Sequence, residues 1–330
     1  MHPPVDLVDL ASKYWQSAAL NAAVSLGVFD ALAKTAASAE VLAEKLECAP
    51  LHLQALLDSL CGLETLEKID GRYRIPNDMQ PLLDPDSPDS LLAALKFNGD
   101  LFGLWLRLPE CVRTGKPALP DNPHLGNDPE RMKRFVEGMH SRAGLMARGV
   151  LPYLVFPENT RWLDVGGGPG TFSLKLLERD ESFRATVLDL PPVVAAAAEI
   201  HAGKAALERL TFQGGDYHTA EFPANQDVVL YCGALHQEPE EGIRALFRKM
   251  AAALKPGGHL YVIDLMLDAD RTTPVYSALF QLNMMLMRPA SRVYTVERLK
   301  SLLHETGFSS PYTQHIEGTP YTMVRSTPER

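Results

Sequence analysis

The amino-acid sequence predicts an α/β protein in two main parts. A mainly helical front half contains a winged helix, and the back half is built on a doubly wound, mainly parallel sheet. Three observations carry this reading. From residue 161 onward, short apolar runs alternate with helical patterns, as in successive βαβ units. Residues 38–77 read as two short helices followed by a hairpin. Between the first strand of the back half and its helix stands "GGGPG", residues 166–170, a turn with almost no side chains.

Residues 6–33 carry apolar positions at helical spacing and read as helix, closed by the glycine break in "SLGVFDAL". Ser38 is placed to cap "AEVLAEKL". Pro50 stands at the start of the next helix, where its missing N–H costs nothing. "LEKIDGRYRIPN" is then a hairpin with Asp70-Gly71 as its turn. A winged helix suggests DNA, but the second helix, "LHLQALLDSLCGL", has no Arg or Lys to meet phosphates. A packing or dimerisation module is expected instead. Helices over about residues 91–114 and a long helix from Pro129 connect the front to the back. The expected organisation is residues 1–100 as the winged-helix domain, 101–157 as a helical linker and 158–330 as the sheet domain.

In the back half, "RWLDVG", "RATVLDL", "LTFQGGD", "DVVLYCGAL" and "GHLYVIDLML" are strands. "TFSLKLLERD", "PPVVAAAAEIHAGK", "PEEGIRALFRKMAAAL" and "TVERLKSLLHETGF" are helices, the last with Thr295 as cap and Gly307 as stop. Two further strands are expected near 310–316 and 320–326.

Composition narrows the function. The 330 residues carry a net charge of −9, which argues against a nucleic-acid partner. "MHPPVDLVDL" has no signal-peptide pattern, and no 18-residue apolar stretch suggests a membrane span. Cys48, Cys61, Cys111 and Cys232 show no C-x-x-C spacing, so free thiols in a reducing cytoplasm are expected. Asp and His do not cluster at ligand spacing, and no metal is expected.

The glycine loop is the strongest chemical signal. Gly166, Gly168 and Gly170 let a ligand approach the backbone near a helix N-terminus. A dinucleotide fingerprint would need glycine at 171, where Thr171 stands, and the G-K-[ST] of a P-loop is absent. Asp189 ends the second strand, 23 residues after Gly166, where a carboxylate can accept both ribose hydroxyls. Asp216 follows "QGG" at the end of the next strand and is placed to accept from an adenine amine. The ligand so described is an adenosine with no pyrophosphate requirement. S-adenosylmethionine fits; a tight turn with ordinary solvated acids is the alternative.

"LDVGGGPG", "VLDLPPVV", "GGDY", "LHQEP", "LKPGGHLYVID" and "YTVERLKSLLHETGF" together resemble the class I small-molecule O-methyltransferases, the group of caffeate and acetylserotonin methyltransferases and bacterial tailoring enzymes. "LGVFDAL" and the winged helix resemble that family's dimerisation domain. The resemblance implies a Rossmann-like methyltransferase domain, S-adenosylmethionine as cofactor with S-adenosylhomocysteine as product, no metal, a small-molecule acceptor and a homodimer. It places Gly166, Gly168, Asp189, Leu190, Asp216, Tyr217 and Cys232 at the cofactor. It places Phe135, Met139, Asn283, Met284 and Met287 at the acceptor. His236 matches the catalytic histidine, and Asp264 matches an acid late in the following strand.

Four positions depart from the family. His-Asp-Trp is here His236-Gln237-Glu238, the lysine four residues before the histidine is Cys232, and the glutamate before the "ERT" threonine is Val293. The expected chemistry is removal of a proton from an acceptor hydroxyl by His236, with Asp264 fixing its tautomer and Glu238 as a second candidate for that task. The alternatives are an S- or C-methyltransferase that works by alignment without a base, a non-methylating enzyme that keeps the cofactor, and a DNA-binding regulator.

Overall fold

The computed structural model describes residues 7–118, 129–288 and 290–329. It divides into two compact units, Met1–Phe102 and Gly103–Arg330. The segment expected as a linker therefore falls in the second unit from Gly103 onward.

The front unit holds helices α1 (Leu7–Ser12), α2 (Tyr14–Ser25), α3 (Val28–Leu32), α4 (Ala39–Lys45) and α5 (Pro50–Gly62). Strands β1 (Glu67–Ile69) and β2 (Arg72–Arg74) follow, then α6 (Gln80–Leu83) and α7 (Leu92–Phe102). The single helix expected over 6–33 is three pieces. Near Lys13 the backbone bonds step from residue i to i−3, and at Gly27 the chain turns left-handed, φ +74°. That turn redirects Val28, Phe29 and Leu32 into the core, where all are buried. The Ser38 hydroxyl accepts from the Val41 N–H, and Pro50 opens α5. Asp70 and Gly71 both take positive φ, 50° and 75°, as a two-residue hairpin turn requires. Tyr73 from the wing is buried against Leu57 and Leu60 and donates its hydroxyl to Asp58 at 2.7 Å.

The back unit begins with a 3-10 turn at Gly103–Arg107, α8 (Leu108–Thr114) and α9 (Pro129–Val150). The sheet region then runs β3 (Arg161–Val165), α10 (Thr171–Leu177), β4 (Arg184–Asp189), α11 (Pro191–Ile200), β5 (Leu210–Gly214) and β6 (Gln226–Cys232). It continues with α12 (Glu240–Ala253), β7 (Leu254–Leu265), α13 (Val275–Met287), α14 (Val296–Glu305), β8 (Phe308–His315) and β9 (Tyr321–Pro328). The strand order is β5-β4-β3-β6-β7-β9-β8, a seven-stranded sheet. Strands β3 to β7 pair in parallel, and β9 runs antiparallel between β7 and β8. Apolar clusters cover both faces: Leu246, Phe247 and Leu299 pack on one, Trp162, Leu174 and Leu177 on the other. The order reverses at β3/β6, and at such a switch point the loops after the strands diverge to leave a crevice.

Candidate active site

The loop after β3 stands at that switch point. The Gly166 N–H donates to the Leu188 carbonyl at 2.8 Å, so the loop leaves the sheet late. Gly166, Gly168 and Gly170 have φ of 64°, 56° and 69°, a region that strains any residue with a Cβ. A Cβ on Gly168 would meet nothing within 4 Å, so open space lies beside it. A Cβ on Gly167 would strike the Asp164 carboxylate at 2.6 Å.

Asp164 is buried beneath this loop. Its Oδ2 accepts from Ser173 at 2.7 Å, and Ser173 accepts from the Trp162 indole at 2.8 Å. Its Oδ1 has no hydrogen-bond partner among the described residues. Burial raises its pKa to about 6.

Asp189 joins the loop from the end of β4. Its Oδ2 accepts from the Gly168 N–H and its Oδ1 from the Leu190 N–H, each at 2.7 Å. Burial pushes its carboxyl up, while these two N–H bonds oppose that. Each oxygen keeps lone-pair capacity for a further donor. The orphaned Asp164 oxygen, the space at Gly168 and this tethered carboxylate fit a ligand that carries an ammonium and a ribose.

Two histidines brace the loop from behind. His201 Nε2 lies 2.8 Å from the Pro169 carbonyl, and Lys204 Nζ lies 3.2 Å from His201 Nδ1. An ammonium only donates, so Nδ1 accepts and Nε2 carries the proton to Pro169. His140 Nδ1 meets the Thr171 hydroxyl at 2.8 Å, and the two rings stack edge to face at 5.0 Å. Burial lowers both pKa values to about 4. No motif or spacing in the sequence marks either histidine as a partner of the loop.

Asp216 is exposed, and its carboxylate accepts from the His218 N–H at 2.9 Å within its own loop. The Tyr217 ring lies 3.3 Å from where a Gly166 Cβ would be. Phe135 packs with Leu190 and Val193, and half-buried Met139 follows it one turn later on α9. Half-buried Cys232, at the end of β6, packs on the Trp162 side of the sheet, and burial pushes its thiol up.

His236 sits on a 3-10 turn after β6, two residues beyond Ala234, which itself borders Gly166. Its Nδ1 is 2.8 Å from Asp264 Oδ1, and its backbone N–H donates to Oδ2 at 3.2 Å. The carboxylate fixes the proton on Nδ1 and leaves Nε2 as an acceptor. The Phe280 ring of α13 stands edge-on to the imidazole at 4.8 Å. Further along α13, Met284 and Met287 are buried, and Asn283 Oδ1 accepts from the Trp105 indole at 3.2 Å. Asn283 is thus left with its amide N–H groups to offer.

Glu238 differs from expectation. Its carboxylate accepts from Tyr217 and approaches His218 rather than His236, because the extended backbone at 238 points it toward the loop after β5. At the departed acid position, Val293 is buried, and its N–H donates to Gln281. Among the described residues no group of three or more His, Cys, Asp or Glu is placed to hold a metal. No helix among them is long and apolar enough to cross a membrane.

A sheet of this order, with a glycine loop and a strand-end acid at its switch point, defines an S-adenosylmethionine-dependent methyltransferase. Comparison with known proteins agrees. The O-methyltransferase domain model matches residues 121–309, and the O-methyltransferase dimerisation domain model matches residues 8–76. The chain is 31% identical over 319 residues to a 3-hydroxy-5-methyl-1-naphthoate 3-O-methyltransferase of Streptomyces sahachiroi, covering 94% of this chain and 91% of the relative. It is 29% identical to a tetracenomycin polyketide synthesis 8-O-methyltransferase of Streptomyces glaucescens, covering 97% and 96%. Human N-acetylserotonin methyltransferase, solved in complex with S-adenosylmethionine, superposes with a TM-score of 0.89 at 25% identity and covers 100% of both chains. The chain belongs to the O-methyltransferase family and is an enzyme that methylates small molecules.

Proposed function

We propose that this enzyme methylates a hydroxyl on a flat aromatic acceptor, with His236 as general base. The observation that carries the reading is the 2.8 Å contact between His236 Nδ1 and Asp264, which leaves Nε2 as the basic atom. Bound S-adenosylmethionine supplies an electrophilic methyl carbon. Gly166, Gly168, Asp189, Leu190, Asp216, Tyr217 and Cys232 form its binding wall, with Asp189 accepting the ribose hydroxyls. His236 Nε2 takes the proton of the acceptor hydroxyl, and Asp264 stabilises the resulting imidazolium. A free phenol titrates near pH 10, so a positioned base is needed at neutral pH. Phe280 holds the imidazole plane. Phe135, Met139, Met284 and Met287 line the acceptor, and the Asn283 amide donates to it. The naphthoate and polyketide acceptors named for the two bacterial relatives support a large aromatic substrate.

The dimerisation domain supports a homodimer, and four free thiols suit a reducing cytoplasm. The test is a panel of hydroxylated naphthoates, simple phenols and thiols incubated with methyl-labelled cofactor and read by product mass. Transfer to a phenolic oxygen is expected. Transfer to thiols alone, at a rate indifferent to His236→Ala, would overturn the base assignment.

A further inference from the structure

Glu238 is a buried carboxylate, and the turn that ends at it also carries His236. Its backbone N–H donates to the Leu235 carbonyl at 3.1 Å, and its carbonyl accepts from the Tyr294 hydroxyl at 2.8 Å. Both ends of the residue are therefore fixed. Its Oε1 accepts from the Tyr217 hydroxyl at 2.7 Å and lies 3.2 Å from His218 Nε2. The Tyr217 ring rests against Gly166, the first residue of the glycine loop. Burial, then the Glu238 charge, hold the Tyr217 phenol far above its ordinary range, so it remains a donor.

A second observation comes from α12. A Cβ on Gly242 would lie 2.7 Å from Glu238 Oε2. Glycine is a poor residue for a helix, and here it makes room for the carboxylate.

We infer that Glu238 is a positioning residue of the cofactor site: its carboxylate holds the Tyr217 ring against the glycine loop and couples that wall to the turn bearing His236. This rests on the reading that residues 166–168, Asp189 and Tyr217 border S-adenosylmethionine. The residue acts through Tyr217 and touches neither the proton in transit nor the reacting carbon. Its loss should move cofactor affinity and spare the base. Removing the carboxylate leaves a half-buried phenol without its acceptor, and the ring is then free to leave Gly166.

The experiment uses the full-length protein and S-adenosylhomocysteine as the probe, with Kd from calorimetry and folding checked by thermal melting. Tyr217→Phe keeps the ring and deletes only the hydroxyl. It should weaken binding about tenfold, the value of a hydrogen bond to a charged group. Glu238→Ala should weaken binding by a similar factor, and Glu238→Gln, which keeps an acceptor, should recover part of it. The double variant Glu238→Ala/Tyr217→Phe should bind no worse than the weaker single one, because both remove one interaction. Gly242→Ala should weaken binding too, by displacing the carboxylate. Should Glu238→Ala fail to fold, Tyr217→Phe and Gly242→Ala decide. Asp189→Ala serves as the reference for the cofactor reading. If it weakens binding while Tyr217→Phe stays within about twofold of wild type, the inference is overturned and the cofactor reading stands. If Asp189→Ala changes nothing, the cofactor reading falls and takes the inference with it. Effects that multiply in the double variant also overturn it.

Discussion

Asp264 grips His236 at two points: its Oδ1 faces the imidazole Nδ1 at 2.8 Å, and its Oδ2 accepts the histidine's own backbone N–H at 3.2 Å. One carboxylate therefore sets the tautomer of the ring and the position of the turn beneath it. The expected acid at position 293 is absent, yet the orientation of His236 is supplied.

His236→Ala should reduce turnover of a phenolic acceptor by about 10²–10⁴-fold, the range for a positioned acid–base group. The Kd for S-adenosylhomocysteine should not change. Asp264→Asn should lose about 10- to 10³-fold, since the amide can donate to Nδ1 and favour the wrong tautomer. Steady-state rates beside calorimetry check both, and rate at high pH should return part of the His236→Ala loss. Full neutral-pH activity in His236→Ala would remove the base from the mechanism, and in Asp264→Asn it would remove the carboxylate as its orienting partner.

Trp105 sets the Asn283 amide, because the indole donates to Asn283 Oδ1. Trp105→Phe keeps the ring packed near Leu286 and removes the donor. The amide can then rotate. The acceptor KM should rise about 2- to 10-fold, as for one neutral hydrogen bond, with cofactor Kd unchanged. An unchanged acceptor KM would show that Asn283 does not orient the substrate.

His201 and His140 predict a pH dependence of stability. Burial lowers both to about 4, against about 6.5 in an unfolded chain. Between these values the unfolded chain binds protons that the folded one refuses. Their contribution is thus complete above about pH 6.5 and declines as pH falls toward about 4. Asp164 works the other way: burial raises it to about 6, so its folded form binds a proton first and gains as pH drops through that range. Asp189, whose carboxyl burial also pushes up, acts in the same direction as Asp164. Chemical denaturation from pH 7 to pH 5 should show a steeper loss in wild type than in His201→Gln, whose side chain does not titrate. Parallel slopes would mean that the His201 ring is not held neutral.

The front unit exposes Leu7, Val8, Leu10, Tyr14 and Trp15 along α1 and α2, each more than half accessible. Such a patch marks an interaction surface, and a symmetric copy is the commonest cover. Light scattering should give about twice the chain mass of 36.3 kDa. Trp15→Asp should shift the population toward the single-chain mass. A single-chain mass for wild type at micromolar concentration would exclude the homodimer.

The sheet was legible because its signals are local. Strand runs, the Asp70-Gly71 turn, the Ser38 and Thr295 caps and the glycine loop each depend on a few neighbouring residues. His236 with Asp264 was legible through family resemblance and is joined in space across 28 positions. The Glu238 partnership was not. Its partners lie 20 and 21 residues away, on the loop after another strand, and no period or spacing encodes that meeting. The same holds for Trp105 and Asn283, 178 positions apart, and for His140 and Thr171. Gly27 has the look of a helix end in the sequence, whereas in the fold it is a bend between two helices that share one core.

The position of β9 bears on how the chain becomes a sheet at all. It lies between β7 and β8, yet it follows both in the chain. During synthesis β8 must wait without its neighbour, because the strand that joins it to the rest emerges last of the seven. The five parallel strands can assemble on the ribosome in the order they appear, but the far flank cannot. A stop codon just before Tyr321 would therefore do more than trim an edge. It would orphan β8, expose the flank of β7 and leave the Leu260–Leu265 ladder open to pairing with other chains.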